Sequence, residues 1–427
     1  MSFHLRRTLT VPRTLSLLHT NSISSGPFNC RLQAMKRTSS STTRRPKPKR
    51  RRASSPGAKL PEYHLTPSLR DEKGEIIWPA PKSKLEAARS FIHECVSAKQ
   101  RTLIIPDKDA DGLTSGAILE RTLALLGLDQ DLISVHTIRK GGSIHDDVSR
   151  KALAAYKPAF ILVLDQGSQQ SRPLIEALHR AMVIDHHYAE EKDHPQDALH
   201  VTVCSSPPVA TSSLLTYLIC LDMHERVKET CDWLCVLGTL GDLGNSVISL
   251  INAPRRTASC NISDAWKALR AASSPKELLS DKDLLAARAE VDAELRRCNE
   301  STAPRFSACG RVAVLHINSA AQVHPLIASR WAGHLSSDKL EVILVANEGY
   351  SPGMVGFSCR VPKCARGRDP PVNIIEFLVE TAGRAADPTF RERLGESFAR
   401  GHTVASGGKV PKAEFEELME VLQLEES

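Results

Sequence analysis

A short run of metal-binding side chains, Asp185-His186-His187, places one carboxylate directly before two imidazoles. It follows the apolar pair Val183-Ile184, and an apolar stretch of this kind is typical of a β-strand. Open α/β sheets bind their ligands beyond the carboxyl ends of their strands, so the run is well placed to hold a metal ion. The alternative is a surface turn in which one histidine pairs with the aspartate. For two adjacent histidines alone, that turn is the simpler interpretation.

More carboxylates follow other predicted elements in the same manner. Three aspartates come after the apolar strand predicted at 102–106, and one ends the strand predicted at 160–164. A further aspartate lies in a glycine-rich loop after a predicted helix. Because parallel strands deliver their carboxyl ends to one edge of a sheet, we expect these side chains to converge there. The aspartates are Asp107, Asp109, Asp111, Asp165 and Asp242.

Carboxylates crowded in this way repel one another unless cations neutralise them. Oxygen ligands combined with one or two imidazoles suit Mn²⁺ or Mg²⁺ better than zinc. Two such ions close together are the usual device for hydrolysing a phosphoester, since they deprotonate a water and stabilise the charge of the transition state. A DxDxDG run alone is more typical of a calcium loop or a solvated turn. The joint occurrence of all these groups favours a metal centre.

The elements that must position these groups alternate between strand and helix, which indicates parallel βαβ units. We predict an α/β fold, in which a doubly wound, mostly parallel sheet is joined by a helical connector to a smaller α/β C-terminal domain. In the first half, the predicted strands are 102–106, 133–138, 160–164 and 182–184, with helices at 83–98 and up to 126 and two more after 211–213. In the second half, the predicted strands are 312–317, 340–346 and 355–360, with helices at 324–334, 372–382 and 412–424.

A chain of 427 residues is long enough for two or three domains with their own cores. We predict a disordered basic tail over 1–60, a catalytic domain over 61–262, a connector over 263–304 and a substrate-binding domain over 305–427. No apolar run reaches the roughly 18 residues needed to cross a bilayer, so no membrane partner is expected. The cysteines are scattered, without a CxxC pair, and are predicted to be free thiols rather than zinc ligands.

The net charge of +7 belongs to the tail. Residues 1–61 contain 14 of the 56 Lys and Arg residues and no acid, which leaves 42 basic and 49 acidic residues in the rest. The tail is rich in Ser, Thr, Arg and Pro and cannot supply a core. Its start resembles a mitochondrial presequence, and residues 44–52 form a basic run of the nuclear-localisation type. We therefore expect a mitochondrial and/or nuclear location, with an untargeted tail as the alternative.

The acidic motifs taken together resemble those of the DHH phosphoesterase superfamily. The likeness covers about residues 85–424 and extends to the DHH-associated C-terminal domain, whose substrate-binding motifs match residues 357–360 and 401–408. The four catalytic-domain motifs here are Asp107-Lys108-Asp109-Ala110-Asp111-Gly112, Asp165, Asp185-His186-His187 and Gly238-Thr239-Leu240-Gly241-Asp242.

This resemblance implies a binuclear manganese centre, with Mg²⁺ as the alternative ion. Asp165 would bridge the two ions, and Asp107 would be a further ligand or a base. Asp185 and His187 would orient the ligands and complete the catalytic set. The implied metal ligands are Asp109, Asp111, Asp165, His186 and Asp242.

The resemblance also implies a grip on the phosphate that is cleaved. Arg360 would hold it through its bidentate fork together with His402, and glycines would let the backbone approach closely. The implied phosphate-binding residues are Ser358, Arg360, Gly401, His402, Gly407 and Gly408.

Within the superfamily, the first motif and Ile327-Ala328-Ser329-Arg330 look like the RecJ exonuclease branch. Exopolyphosphatases and small-nucleotide phosphatases of the family have a histidine where this chain has Ile105. Arg400 stands where a glycine is expected, and the chain ends without room for the OB-fold with which RecJ holds single strands. With 4% aromatic residues and an acidic body, short oligonucleotides are favoured as substrates over long DNA.

Three interpretations follow. The first is a manganese-dependent phosphodiesterase or exonuclease that acts on single-stranded or short nucleic acid from an end, with the two domains closing on the terminal phosphate. The second is an exopolyphosphatase or small-nucleotide phosphatase, which differs from the first in substrate length and base dependence. The third is a non-catalytic DHH-derived scaffold of DNA replication, for which eroded metal motifs would be expected.

Overall fold

The computed structural model describes residues 67–240, 246–395 and 397–423. Asp242 and the tail at 1–60 lie outside the described residues. The fifth implied metal ligand and the targeting signals therefore stay predictions. In the part of the chain that is described, no helix is both long and apolar enough to cross a membrane.

The first half of the chain forms a five-stranded sheet in which every pair of neighbouring strands is parallel. Its strands, in chain order, are β1 Thr102–Pro106, β2 Ile133–Val135, β3 Phe160–Leu164, β4 Arg180–Asp185 and β5 Ala198–Thr202. Across the sheet the order is β2-β1-β3-β4-β5. The chain leaves β1 for β2 on one side and returns to β3 on the other. A topological switch therefore lies between the carboxyl ends of β1 and β3, where open sheets bind their ligands.

Every residue of β1 and β3 is buried. Continuous apolar runs are what parallel strands covered on both faces require. Ile104 and Leu162 belong to the larger core, which the first, second, fourth and fifth helices complete, whereas Ile105 and Val163 face a smaller core that contains Leu153 of the third. These helices are α1 Lys82–Ala98, α2 Ala110–Leu125, α3 Asp147–Ala155, α4 Ser212–Cys220 and α5 Val227–Thr239.

A series of helices leads from the first sheet to the second. Val291 and Cys298 of the longest of them pack in the same apolar core as the second sheet, so the connector is anchored to that sheet. The helices are α6 Ser246–Ile251, α7 Ala253–Arg256, α8 Ile262–Ala271, α9 Pro275–Leu278 and α10 Lys282–Glu300.

The second sheet has six strands, and among them only one neighbouring pair, the second and third in chain order, is parallel. Its strands are β6 Arg305–Phe306, β7 Val312–Ile317, β8 Val342–Ser351, β9 Met354–Arg360, β10 Arg400–His402 and β11 Ala405–Pro411, in the order β10-β11-β9-β8-β7-β6. The accompanying helices are α11 His324–His334, α12 Ile374–Ala382, α13 Phe390–Arg393 and α14 Lys412–Val421.

The predicted fold class is confirmed: an all-parallel sheet with helices on both faces precedes a second, mixed α/β unit. Some element predictions were incomplete. Strand β2 ends at Val135 rather than Ile138, and the edge strand β5 was not predicted because His200 and Thr202 interrupt its apolar pattern. The hairpin β10–β11 was also missed, since its glycines disfavour strand formation on their own. The domain boundaries stay predictions.

Candidate metal centre

Two aspartates, Asp107 and Asp165, lie side by side at the topological switch. The Asp107 N–H donates to the Leu164 carbonyl at 2.9 Å, and the Asp165 N–H donates to the Ile184 carbonyl at 2.9 Å. These bonds continue the parallel ladder one residue beyond β1 and β3 and bring the two carboxylates level. Asp165 has a φ of +61°, in the left-handed region that few non-glycine residues adopt. Backbone of this kind is concentrated at functional sites.

The carboxylates form two overlapping groups of potential ligands. Oxygens of Asp107, Asp109 and Asp165 lie within 4.8 Å of one another, and so do ligand atoms of Asp165, His186 and His187. His186 Nε2 is 3.4 Å from Asp165 Oδ1. Asp165 belongs to both groups, which is the position that a ligand shared by two ions needs.

Asp109 is held by the start of α2. It is the N-cap residue, and its Oδ1 accepts hydrogen bonds from the N–H groups of Asp111 at 3.1 Å and Gly112 at 3.2 Å. A Cβ atom at Gly112 would lie 2.7 Å from the backbone N and O of Asp107, so only glycine allows the helix to start this close to the strand end. The DxDxDG spacing therefore packs three carboxylates around one tight strand-to-helix turn.

Asp111 connects α2 to the start of α4. Its two carboxylate oxygens accept from the N–H groups of Ser212 at 2.9 Å and Ser213 at 2.8 Å, and the Ser212 hydroxyl donates to Asp165 Oδ1 at 2.8 Å. Asp111 Oδ2 also lies 4.0 Å from His186 Nε2. The positive end of the α4 dipole therefore faces the carboxylates and stabilises part of their charge.

Burial and mutual repulsion raise the pKa of several of these acids. Burial, followed by the charges of Asp111, Asp109, Asp107 and Asp185, raises the pKa of Asp165 well above its usual range. Burial and the charge of Asp109 raise the pKa of Asp107, and burial is the main reason why the pKa of Asp111 rises to about 7. Divalent cations relieve this repulsion. A set of carboxylate oxygens with imidazole nitrogen fits Mn²⁺ or Mg²⁺ by the chemistry of its donors.

Asp109 behaves differently because a cation lies beside it. Arg255 Nη2 is 3.6 Å from Asp109 Oδ2. Although burial alone would raise the pKa of Asp109, the charge of Arg255 and the hydrogen bond from the Gly112 N–H outweigh burial and lower it. Asp109 is therefore ionised and available as a ligand.

Asp185 and His187 form an ion pair at the end of β4. Asp185 Oδ1 is 2.8 Å from His187 Nδ1 and accepts from the N–H of His186 at 2.8 Å, while Oδ2 accepts from the N–H of Ser168 at 3.2 Å. Burial opposes charge on both partners. Their hydrogen bond and mutual attraction nevertheless lower the pKa of Asp185 to about 2 and raise that of His187 to about 9.

His186 is the neutral member of the pair of histidines. Burial, followed by the positive charge of His187, lowers its pKa. Its backbone is fixed by the Asp185 carboxylate, as given above, and a neutral imidazole is the form that binds a metal. The two histidines therefore differ in charge: His186 is neutral, as a metal ligand must be, and His187 is positively charged. The roles predicted for them stay predictions.

In the second sheet, Arg360 ends β9. Its Nη1 donates to Ser358 Oγ at 2.9 Å and its Nε donates to Ser329 Oγ at 3.2 Å, so Ser329 of the RecJ-type sequence run orients the guanidinium. His402 lies in β10, whose three residues are exposed.

The glycines of this region allow close strand pairing. Gly407 lies opposite Ser358 in the β9–β11 pair, and a Cβ atom there would be 2.4 Å from the Phe357 carbonyl oxygen. A Cβ atom at Gly408 would likewise lie 2.7 Å from the carbonyl oxygen of Ser397. Gly401 has a φ of +119°, which other residues rarely adopt. These glycines shape the strands that carry the predicted phosphate-binding residues.

Several residues that hold the site were not predicted from sequence. Arg255 and Asn252, whose Oδ1 accepts from the Ala110 N–H at 3.1 Å, come from the connector helices and reach the first motif only in the folded chain. Ser212 and Ser213 lie at the start of α4, next to its N-cap residue. Thr211 is the cap, accepting from the Leu214 N–H, and the two serines bond to the carboxylates.

A family model described as the N-terminal domain of the DHH family matches residues 101–239. The single-stranded-DNA-specific exonuclease RecJ of Thermus thermophilus is 26% identical over 197 residues. That match covers 44% of this chain and 29% of the relative, so the chain corresponds to less than a third of the curated protein.

Solved structures have a similar fold. The crystal structure of RecJ from Thermus thermophilus in complex with Mn²⁺ matches 81% of this chain and 55% of that chain, with a TM-score of 0.58 and 19% identity. An exonuclease RecJ bound to manganese matches 81% of this chain and 94% of that chain, with a TM-score of 0.56 and 18% identity. At these identities the likeness shows the fold, and it covers both halves of the chain.

Proposed function

This chain belongs to the DHH superfamily, in its RecJ-like branch, and from this premise we propose that it hydrolyses phosphodiester bonds of single-stranded or short nucleic acid from one end. The observation that carries the proposal is the buried carboxylate cluster, in which Asp165 has a strongly raised pKa and lies within ligand distance of acids on one side and histidines on the other. A cluster of this kind is costly without cations. Its position at the sheet's switch point is where ligands bind.

In this proposal, two Mn²⁺ ions are held by Asp109, Asp111, Asp165, His186 and Asp242, with Mg²⁺ as the alternative. Bound divalent ions supply a Lewis acid for the phosphoryl oxygens and a water of lowered pKa. Asp107 has a raised pKa and is suited to accept a proton from that water. The charged pair of Asp185 and His187 fixes the backbone of His186 and thereby its ring.

The second domain completes the site by binding the substrate. Arg360, oriented by Ser358 and Ser329, offers a planar guanidinium to the phosphate that is cleaved, and His402 of β10 would add a further hydrogen bond to it. Glycines in β10 and β11 let backbone approach the same phosphate. The phosphate would thus lie between two domains, each of which supplies positive charge to it.

The test is hydrolysis by the full-length protein with Mn²⁺. End-labelled single-stranded DNA and RNA of several lengths, inorganic polyphosphate and small nucleotide phosphates form the panel. Release of mononucleotides from one end supports the proposal, and Asp165→Asn and His186→Ala should each reduce it by more than about a hundredfold. Asp283→Asn, an exposed carboxylate on α10, is the matched control and should retain full activity.

Other outcomes would contradict the proposal. Turnover of polyphosphate or small nucleotides alone would favour the phosphatase interpretation. Absence of any metal-dependent turnover, with the protein folded and binding Mn²⁺, would favour a scaffold. Equal activity in wild type and Asp165→Asn would show that the cluster is not the catalytic site.

A further inference from the structure

A cavity of about 360 Å³ opens directly beside the metal centre. Its lining includes Asp107, Asp165, Asp185 and His187. Its volume is at the lower end of the range found for pockets that hold one small molecule. The cavity lies on the first domain, whereas the predicted grip on the scissile phosphate comes from the second. Residues of the metal centre line part of it, whereas Arg360 and His402 are not in its lining.

The rest of the cavity wall contains no acid. It carries polar and basic side chains, from the turn after β1, the loop between β2 and α3, and the loop after β3. These are Lys108, Ser143, His145, Gln166, Ser168 and Gln169. A cavity whose lining combines acids of the metal centre with hydrogen-bonding groups and a lysine fits a ligand that contacts bound cations and carries a further anionic group.

Lys108 is the charged group of this wall. It is half-buried between Asp107 and Asp109 in the chain, and within the described residues its ammonium group has neither a hydrogen bond nor an ion pair. A lysine ammonium has three donors and is strongly hydrated. Its position in the cavity, with its donors unused by the protein, suits an anionic oxygen of a ligand.

Hydrogen bonds fix the rest of the wall in place. Gln166 Nε2 donates to the Ile105 carbonyl at 3.3 Å, Ser168 Oγ is 3.1 Å from His200 Nε2, and His145 Nδ1 is 3.1 Å from Ser171 Oγ. The donors and acceptors facing the cavity are thus held before a ligand arrives. Preorganisation of this kind reduces the entropy cost of binding.

A second cavity, of about 610 Å³, lies close to the first. The His145–Ser171 bond joins the linings of the two, since His145 lines the first and Ser171 the second. The second lining is formed by Gln, Ser, Arg, Lys and His residues and again contains no acid. A polyanionic chain that leaves the first cavity therefore meets a surface that does not repel it.

We propose that the first cavity is a one-nucleotide subsite and that Lys108 binds the phosphodiester adjacent to the one that is cleaved. This inference rests on the proposed nuclease function and makes it more specific. It assigns to Lys108 a contact with a second phosphate, separate from the scissile phosphate that Arg360 and His402 would hold. Inorganic phosphate or a mononucleotide ester has no such second group, so the subsite would favour oligonucleotides.

A trinucleotide tests the inference because it has two linkages, one of which is cleaved first. Replacing the other linkage by a neutral methylphosphonate removes the charge that Lys108 would bind. Two trinucleotides are therefore prepared, each with the methylphosphonate at a different one of the two linkages. The trinucleotide that keeps a phosphodiester at the linkage that is cleaved first reports the effect. In wild type we expect the replacement to reduce kcat/KM about tenfold, as for a hydrogen bond between charged groups. In Lys108→Gln, the all-phosphodiester substrate should already show that loss, and the replacement should have little further effect.

Three controls accompany the test. Lys157→Gln, an exposed lysine in the turn before β3 and thus at the amino ends of the strands, should keep the wild-type response. Lys108→Arg should restore part of the response, and Lys108→Gln should bind Mn²⁺ with wild-type affinity in calorimetry, which excludes damage to the metal centre. A full tenfold response to methylphosphonate in Lys108→Gln would overturn the inference.

Failure of the proposed function can be told from failure of the inference. Absence of trinucleotide cleavage by wild type overturns the function alone. Calorimetric binding of the two trinucleotides in Ca²⁺, which does not require turnover, then decides the role of Lys108. Equal affinity of wild type and Lys108→Gln for the all-phosphodiester trinucleotide would overturn the subsite, and a roughly tenfold loss confined to that trinucleotide would support it.

Discussion

At the scale of single residues, the pair of Asp185 and His187 gives a pH dependence whose sign can be worked out. Asp185 has a folded-state pKa of about 2, below the ordinary value of about 3.9, so its contribution is present above pH 4 and is lost as the pH falls through 2. His187 has a folded-state pKa of about 9, above the ordinary 6.5, so its contribution is complete below pH 6.5 and is lost as the pH rises through 9.

From this we predict that Asp185→Asn destabilises the metal-free protein most between about pH 4 and 6.5, and progressively less as the pH approaches 9. Urea unfolding with a chelator at pH 5.5, 7 and 9.5 measures the difference in free energy of unfolding between variant and wild type. The ring signals of His187 in NMR should titrate at a lower pH in the variant. A difference that grows towards pH 9.5 would contradict the assigned pair.

Asp165 leads to the opposite prediction for stability. Because its pKa is raised by burial and by four neighbouring carboxylates, ionised Asp165 destabilises the metal-free fold near neutral pH. We expect Asp165→Asn to stabilise the metal-free protein, because the neutral amide removes this repulsion. The same variant should lose the stabilisation that Mn²⁺ gives to wild type. Thermal unfolding with and without Mn²⁺ measures both effects, and a destabilised metal-free variant would argue against repulsion in the cluster.

At the scale of elements, the start of α2 decides how closely three carboxylates approach. We predict that Gly112→Ala destabilises the protein by about 1–3 kcal/mol and weakens Mn²⁺ binding, because the added Cβ would meet the Asp107 backbone at 2.7 Å and push the helix from β1. Gly333→Ala on α11 is the matched control. No atom lies within 4 Å of a Cβ there, so the substitution should be neutral or slightly stabilising. Chemical unfolding and calorimetry test both, and equal effects of the two variants would exclude the steric explanation.

The elements also explain how far the sequence alone could predict the structure. Strands β1 and β3 were predicted with their correct bounds because buried parallel strands are continuous apolar runs, and the acids that end them are the site itself. The convergence of Asp107, Asp109, Asp111, Asp165 and His186 followed from strand polarity. Strand β11 was not predicted, because its glycines gain their conformation from pairing with β9.

The supporting contacts of the site could not be predicted in the same way. Arg255 meets Asp109, and Ser212 meets Asp165, across long stretches of chain and through helix packing that no local pattern encodes. The cavity beside Lys108 likewise requires the loop between β2 and α3, whose residues have no motif. Local patterns therefore predicted the candidate ligands, whereas the residues that contact them and line the adjoining cavity were visible only in the folded chain.

At the scale of the whole molecule, the cavity wall depends on contacts between the two sheets. The loop that supplies Ser143 and His145 is held by the second domain, because Lys409 Nζ donates to the Gly141 carbonyl at 2.8 Å. Lys140 Nζ of the same loop donates to the Ala320 carbonyl at 2.5 Å and lies 4.6 Å from the centre of the Tyr350 ring. The position of the second domain is thereby coupled to the shape of a cavity on the first.

We therefore predict that Lys409→Met loosens the loop at 139–146 without altering the metal centre. Hydrogen exchange of that loop in the substrate-free protein should become faster, because a hydrogen bond across the domains is lost. With an oligonucleotide substrate, KM should rise about fivefold, as expected for a loss of roughly 1 kcal/mol, while Mn²⁺ affinity stays at the wild-type value. Lys363→Met, an exposed lysine of the same domain, is the matched control. A raised KM with unchanged hydrogen exchange would show instead that Lys409 contacts the substrate directly. If both KM and hydrogen exchange stay unchanged, the Lys409 hydrogen bond does not influence the cavity.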